Sequence, residues 1–277
     1  HWALMFFNHF NGKAHCIVVD QNNIITDIET LGARKMEPAI TINELFALNG
    51  VSANIVDFND YTDDDCRCEK EIEKLRDINP RAFNEITFHL SKHPECTAYE
   101  SDNCRVKWDK SQKTFFCHFE YTSKFGTKSK DCSLASPHIR QLLLNSGWFE
   151  YRVAEILSHW TMAAHVWLNG TIHYAGKGDS INELDIIVQT TTHKWLIVEC
   201  KTQIYQPTDI DKFNDVVRKY SGIGSKKVLI SLEQLKPAVA ERCDKSRIAH
   251  FDIPAIERNR SAFFASLSGM MTTINAQ

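Results

Sequence analysis

The fold is decided by one stretch, INELDIIVQTTTHKWLIVECKTQ, which spans residues 181–203. Two apolar runs flank the polar segment QTTTH, and this is the pattern of a β-hairpin. Because side chains alternate along a strand, Glu199 and Lys201 fall on one face of the second run. A hairpin centred near Thr192 places Asp185 opposite Glu199. The sequence therefore predicts that two carboxylates and one ammonium group converge on one patch.

This predicted cluster suits a divalent metal ion. Neighbouring carboxylates repel each other and raise each other's pKa, and a nearby cation offsets this repulsion. Mg²⁺ and Mn²⁺ are hard ions that prefer oxygen ligands and retain bound water. The ion would acidify a bound water, while Lys201 could position or deprotonate that water and neutralise charge developing on a phosphate. The side chains of Asp185, Glu199 and Lys201 thus predict phosphodiester hydrolysis.

A solvated ion pair is the competing interpretation of this spacing. A Glu and a Lys two positions apart on a strand are often no more than surface neighbours. Here the pair ends a strongly apolar run, and Asp185 interrupts another. The apolar context favours a functional site.

A third carboxylate is predicted on a long helix over residues 137–160. Glu150 shares the apolar stripe of that helix with Val153 and Leu157. A charged group on a buried stripe is costly unless it has a partner. We therefore expect Glu150 to reach the same cluster, with Glu155 as the competing candidate.

Composition bounds the class of protein. The chain has 277 residues, of which 43% are hydrophobic and 24% charged, as in folded globular proteins. No apolar run approaches the roughly 18 residues that a membrane span needs. The net charge of −3 gives no global basic field for nucleic acid. Without a signal-peptide pattern and with an odd number of cysteines, we expect a reduced, cytoplasmic protein with no membrane partner.

The middle of the chain offers a different set of metal ligands. No cysteine spacing gives the two close pairs of a structural zinc site. Folding could nevertheless gather four ligands, so a zinc-stabilised adaptor remains an alternative. The candidate ligands are Cys66, Cys68, Cys96, Cys104, Cys117, His118 and Cys132.

Three parts are predicted along the chain. Residues 1–60 read as helix, strand, hairpin and helix, the end of an α/β unit. Residues 61–132 form a connecting helix and hairpin module, in which Pro80 separates two helices and residues 122–131 are a linker. Residues 133–277 form an α/β domain with the order helix, three strands, helix, strand and helix.

Three segments, GWFE from Gly147, ELD from Glu183 and VECKT from Val198, resemble the PD-(D/E)xK nuclease superfamily. More narrowly, they are similar to the CRISPR ancillary nucleases that join a CARF sensor to such a domain. The likeness covers nearly all of residues 137–253, and residues 16–50 are similar to the end of that sensor. The resemblance implies an α/β protein: a restriction-endonuclease-like PD-(D/E)xK domain, preceded by the helix and hairpin module and the C-terminal part of a Rossmann-like CARF domain.

The same resemblance implies a function in type III CRISPR antiviral defence. A homodimer would bind cyclic oligoadenylate, with cyclic tetra-adenylate as the expected activator. Its nuclease domains would cut DNA, with RNA as a further candidate substrate, using Mn²⁺ or Mg²⁺. The metal ligands carried over are Asp185, Glu199 and the backbone carbonyl of Cys200, with Lys201 as catalytic lysine and Glu150 as a helix carboxylate at the same metal.

The chain departs from this family in the sensor. The early strands and most ligand-binding loops have no counterpart, so no activator-binding residue is assigned. The alternative function is a catalytically inactive nucleotide-sensing or dimerising module with a vestigial nuclease fold. Such a module would bind nucleotides without cutting nucleic acid.

Overall fold

The computed structural model describes residues 17–19, 24–27, 33–35, 41–48, 50–174, 180–203, 208–220 and 225–272. The strands in these ranges are β1 (Ile17–Val19), β2 (Ile24–Asp27), β3 (Ala33–Lys35), β4 (Val51–Asp57), β5 (Ala98–Ser101), β6 (Cys104–Asp109), β7 (Thr114–Ser123), β8 (Gly126–Leu134), β9 (Ala163–Tyr174), β10 (Ser180–Thr190), β11 (Trp195–Lys201), β12 (Lys226–Ser231) and β13 (Ala249–Asp252).

The helices within the same ranges are α1 (Ile42–Leu48), α2 (Asp63–Ile78), α3 (Pro80–Lys92), α4 (Ile139–Leu143), α5 (Gly147–Ser158), α6 (Thr208–Tyr220), α7 (Pro237–Lys245), α8 (Ile253–Arg258) and α9 (Arg260–Thr272). Helices and sheets alternate along the chain, and this confirms the predicted α/β class. Among the described residues, no helix combines the length and the apolar character that crossing a bilayer requires.

A six-stranded sheet carries the predicted hairpin. Its order is β13-β12-β11-β10-β9-β4, with β9 to β11 antiparallel and β11 to β13 parallel. Strand β11 is central and buried on both faces, as expected for a continuous apolar run. The register pairs Ile187 with Ile197 and Ile186 with Val198. This register centres the hairpin on Thr192 and confirms the prediction.

Helices cover both faces of this sheet. Apolar side chains of α6 and α7, such as Phe213 and Val239, pack with Ile197 on one face. Those of α5, such as Phe149 and Val153, pack on the other face. The strand ends are therefore held between two helical layers.

Strand β4 joins the same sheet from far away in sequence. It pairs with β9 from Val51 opposite Tyr174 to Asp57 opposite Trp167. The strand lies inside the first predicted part, residues 1–60. The boundaries at residues 60 and 132 stay predictions.

A second sheet forms the middle of the chain. Strands β5 to β8 form an antiparallel sheet in chain order, and buried side chains of α2 and α3 pack in a common core with it. Asn79 caps α3 by accepting a hydrogen bond from the Ala82 N–H at 3.1 Å, and Pro80 occupies the first turn. The predicted junction of two helices at Pro80 is confirmed.

The predicted linker over residues 122–131 is wrong. Strands β7 and β8 continue through it, and their pairing runs from Phe115 opposite Leu134 to Ser123 opposite Gly126. Gly126 has a φ of 124°, which favours glycine and permits the tight reversal. The outer end of this hairpin is solvent-exposed, so it lacks the apolar alternation that marks a strand.

The predicted continuous helix over residues 137–160 is also wrong. It is divided into α4 and α5 because Asn145 and Ser146 adopt left-handed conformations, with φ of 56° and 65°. Gly147 then starts α5 so close to α4 that a Cβ atom would collide with the carbonyl oxygen of Gln141. The break sets the direction of α5, which carries Glu150 in its first turn.

Replacing Gly147 by alanine is therefore expected to destabilise the protein by about 2–3 kcal/mol, because backbone must move to admit the methyl group. Gly269 in α9 is the matched control, since a Cβ there has no heavy atom within 4 Å. Gly269→Ala should be neutral or stabilise by about 1 kcal/mol, as expected for an exposed helix position. Urea denaturation of both variants tests this. Equal stability of the two variants would contradict the close approach at Gly147.

Candidate active site

The carboxylate of Asp185 lies where strands β10 and β11 separate. Regular pairing ends with Ile186 opposite Val198. One step further, Asp185 Oδ2 accepts a hydrogen bond from the Cys200 N–H at 2.7 Å. The side chain thus takes the place of a backbone partner. This contact fixes the Asp185 carboxylate beside the end of β11.

Glu199 and Lys201 lie on that end of β11. The Lys201 Nζ atom is 2.6 Å from Glu199 Oε1, and the two side chains are 33% and 14% exposed. The pair is therefore largely sheltered, unlike the solvated ion pair that the spacing alone could form. The charges of Glu199 and Asp185 both raise the pKa of Lys201, which indicates that Asp185 is also close to it. The two strands bring all three predicted side chains together.

Glu150 reaches the same cluster from helix α5. Burial and the nearby Asp185 raise the pKa of Glu150 well above its usual range, against the opposing effect of Lys201. Glu155, the competing candidate, instead lies among Glu69 and Lys70, whose pKa values it raises. Of the two helix carboxylates, only Glu150 belongs to the site.

The charges of the site are unbalanced. Burial, followed by repulsion from Glu199, raises the pKa of Asp185 to about 7, while Lys201 and the Cys200 N–H oppose this. Burial lowers the pKa of Lys201, but Glu199 and Asp185 outweigh it, so this pKa lies above its ordinary value. A single ammonium group therefore serves three carboxylates, and without a further cation the carboxyls of Asp185 and Glu150 hold protons more readily than usual.

A divalent cation fits this donor set by its chemistry. The carboxylates of Asp185, Glu199 and Glu150 and the Cys200 backbone carbonyl offer only oxygen, which Mg²⁺ and Mn²⁺ prefer. Among the described residues, no three His, Cys, Asp or Glu side chains already stand in ligand geometry. A cation here would thus rely on two carboxylates, a backbone carbonyl and water.

The same observation argues against the zinc-stabilised adaptor. All seven of its candidate ligands lie in the described part of the chain, yet they form no such group there. Cys104 instead contacts the backbone of Glu120 at 3.2 Å. Cys117, a free cysteine, lies opposite Cys132 in the register of β7 and β8. These cysteines are used in packing.

The raised pKa of Asp185 predicts how stability depends on pH. Between the ordinary carboxyl pKa and about 7, folded Asp185 keeps a proton that the unfolded chain has released. The free energy of unfolding of the metal-free chain should therefore fall as pH rises through this window. Asp185→Asn keeps an acceptor for the Cys200 N–H without the charge. It should be more stable than the parent at neutral to alkaline pH, by on the order of 2 kcal/mol.

Urea midpoints in EDTA, measured from about pH 5 to pH 8, test this expectation. The groups that face Asp185 are Glu150, Glu183, Glu199 and Lys201. Because these groups also titrate, the stability of the variant should still change somewhat with pH. Parallel curves for the two proteins would contradict the raised pKa.

Two clefts flank the candidate site, and sequence reasoning did not identify them. The first, of about 230 Å³, is lined by Lys201, Gln203, Gln234 and Lys236 among others. The second, of about 410 Å³, lies between α3 and the turn before α5. Both clefts include Thr202 and Gln203, so they meet next to Lys201. Pairing of β11 with β12 creates the first cleft, and the sequence carries no local signal for that neighbour.

Comparisons with known proteins support the fold without defining a family. No protein-family model matches the chain, and no curated protein matches it. Solved structures that share the fold include protein VC1899 from Vibrio cholerae, with a TM-score of 0.65 and 14% identity over 96% of this chain and 72% of that chain. Another is Can2 from Sulfobacillus thermosulfidooxidans in complex with cyclic tetra-adenylate, with a TM-score of 0.57 and 18% identity over 98% and 73% of the two chains. At these identities the likeness establishes a common fold.

Proposed function

We propose that this protein is a metal-dependent nuclease that hydrolyses phosphodiester bonds of DNA, with RNA as a further candidate substrate. One observation carries the proposal: Asp185, Glu199 and Lys201 meet at the separating ends of two adjacent strands. Glu150 adds a third carboxylate from α5. A sheltered excess of carboxylates next to an ammonium group suits a cation and a phosphate.

The residues divide the chemistry between them. Asp185, Glu199 and the Cys200 carbonyl would hold Mn²⁺ or Mg²⁺, with Glu150 orienting water or ligands nearby. The bound ion would supply an acidified water and polarise the phosphate. Lys201 would position or deprotonate that water and neutralise charge developing on the phosphate; in the metal-free chain Glu199 and Asp185 raise its pKa.

The proposal extends to regulation. We infer that cyclic oligoadenylate, with cyclic tetra-adenylate as the first candidate, activates a homodimer of this chain in type III CRISPR defence in the cytoplasm. The support is the resemblance in sequence and a common fold with Can2, which was solved with cyclic tetra-adenylate. About half of the predicted sensor part, residues 1–60, lies outside the described residues, and its ligand contacts are not assigned.

Cleavage assays test this function. The protein is incubated with supercoiled plasmid, single-stranded DNA and RNA, with Mn²⁺, Mg²⁺ or EDTA, and with or without cyclic tetra-adenylate. We expect cleavage with Mn²⁺ or Mg²⁺, none with EDTA, and an increase with the activator. Absence of hydrolysis under every metal and ligand condition would contradict the nuclease and favour the inactive sensing module.

A further inference from the structure

One large aromatic side chain near the candidate active site is exposed to solvent. Phe88 of helix α3 is 65% exposed. The same helix buries Phe83, Ile86 and Leu90 in the core, so Phe88 lies on its outer face. A single exposed apolar residue is unremarkable in itself. The position of Phe88 is what gives it meaning.

Phe88 lines the second cleft beside the candidate site. The opposite wall of this cleft of about 410 Å³ includes Thr202 and Gln203, which directly follow Lys201 in sequence. Asn145 and Ser146, the two left-handed residues before α5, also line this cleft. One groove therefore connects the ring of Phe88 to the residues next to the proposed catalytic lysine.

The groove has the chemistry of a site for a nucleic-acid strand. Its walls present amide and hydroxyl groups, including Asn84, Asn145 and Thr202, and one carboxylate, Glu85, which accepts a hydrogen bond from the Tyr99 hydroxyl at 3.4 Å. One turn further along α3, the Lys92 Nζ atom lies 5.8 Å from the centre of the Phe88 ring. An aromatic face with a lysine beside it offers stacking to a base and charge to the adjoining phosphate.

We propose that Phe88 is a stacking platform for an unpaired base of the strand that enters the candidate active site. This inference rests on the proposed nuclease function and specifies its substrate: a single strand, or a strand whose bases are unstacked near the cut. A base within a duplex has both faces covered by its neighbours and cannot stack on a protein ring without leaving the helix. The module of α2 and α3 would thereby contribute to substrate selection.

Binding measurements on the full chain test the inference without requiring cleavage. Fluorescence anisotropy of a labelled single-stranded oligonucleotide is measured with Mn²⁺ in a Lys201→Ala background. We expect Phe88→Ala to weaken binding by about tenfold or more, and Phe88→Trp to retain or strengthen it. Binding of a blunt duplex should change little.

Phe125 provides a matched control. It is 89% exposed, and Lys124 Nζ lies 5.0 Å from its ring centre, but it stands in the turn between β7 and β8. Phe125→Ala should leave single-strand binding unchanged. Equal loss from both substitutions, or no loss from Phe88→Ala, would overturn the inference.

Two further readouts separate the possible failures. If Phe88→Ala changes the oligomeric state in light scattering and leaves oligonucleotide binding intact, Phe88 contacts a second copy and the inference is wrong. Metal-dependent cleavage by the Phe88-intact protein tests the proposed function itself. If the parent protein cleaves nucleic acid and the Phe88→Ala variant binds and cuts single strands normally, the stacking role of Phe88 is refuted and the proposed nuclease function is kept.

Discussion

Lys201→Ala should reduce the rate of metal-dependent cleavage by about 10²-fold or more. The Lys201 Nζ atom lies 2.6 Å from Glu199 Oε1, and its charge lowers the pKa of Asp185. It is the ammonium group that the proposed mechanism uses to position water and to neutralise phosphate charge. Its removal leaves the carboxylates in place but takes away that charge.

Initial rates on supercoiled plasmid with Mn²⁺ measure this effect, and thermal unfolding shows whether the variant is folded. Lys245→Ala is the control, because Lys245 is an exposed residue of α7 paired with Glu241 at 2.6 Å. It should cut like the parent. Parent-like cutting by a folded Lys201→Ala variant would remove the proposed catalytic group.

Glu199→Gln is expected to reduce cleavage by about 10²-fold or more, since an amide holds a divalent cation much less well than a carboxylate does. The two side chains have the same shape, and the amide oxygen can still accept from Lys201. The variant should therefore fold normally. Its loss of activity would reflect lost charge at the site and not a cavity.

Glu183→Gln serves as the matched control for this substitution. Glu183 lies two residues before Asp185 on β10, and its side chain is exposed. Glu183 faces Asp185, but solvent screens its exposed charge, so its loss should change the cleavage rate by less than about threefold. If both variants lost activity to the same degree, the effect would come from the overall charge near the site, and Glu199 would not be a metal ligand.

The arrangement of the site was predictable because it depends on local rules. Alternation along β10 and β11 and the symmetry of the hairpin place Asp185 beside Glu199 without knowledge of other elements. Glu150 lies near this cluster as expected, although the helix that carries it was predicted too long. Glu150, Val153 and Leu157 all lie in α5, so their relative positions do not depend on the break before Gly147.

What the sequence failed to indicate depends on contacts distant along the chain. The turn at Asn145 and Ser146 follows from the close packing of α5 against α4. Strand β4 pairs with β9 more than a hundred residues later, and such pairing has no local signal. The clefts on either side of Lys201 likewise arise between elements, so neither Phe88 nor Gln234 stood out from the sequence.

The central claim is that Asp185 and Glu199 share a divalent cation, and calorimetric titration with Mn²⁺ tests it most directly. We predict saturable binding of about one ion per chain, strengthening as pH rises and Asp185 deprotonates. Asp185→Asn should abolish this binding while the folded state is kept. Undiminished Mn²⁺ binding by Asp185→Asn, or none by the parent chain, would contradict the account.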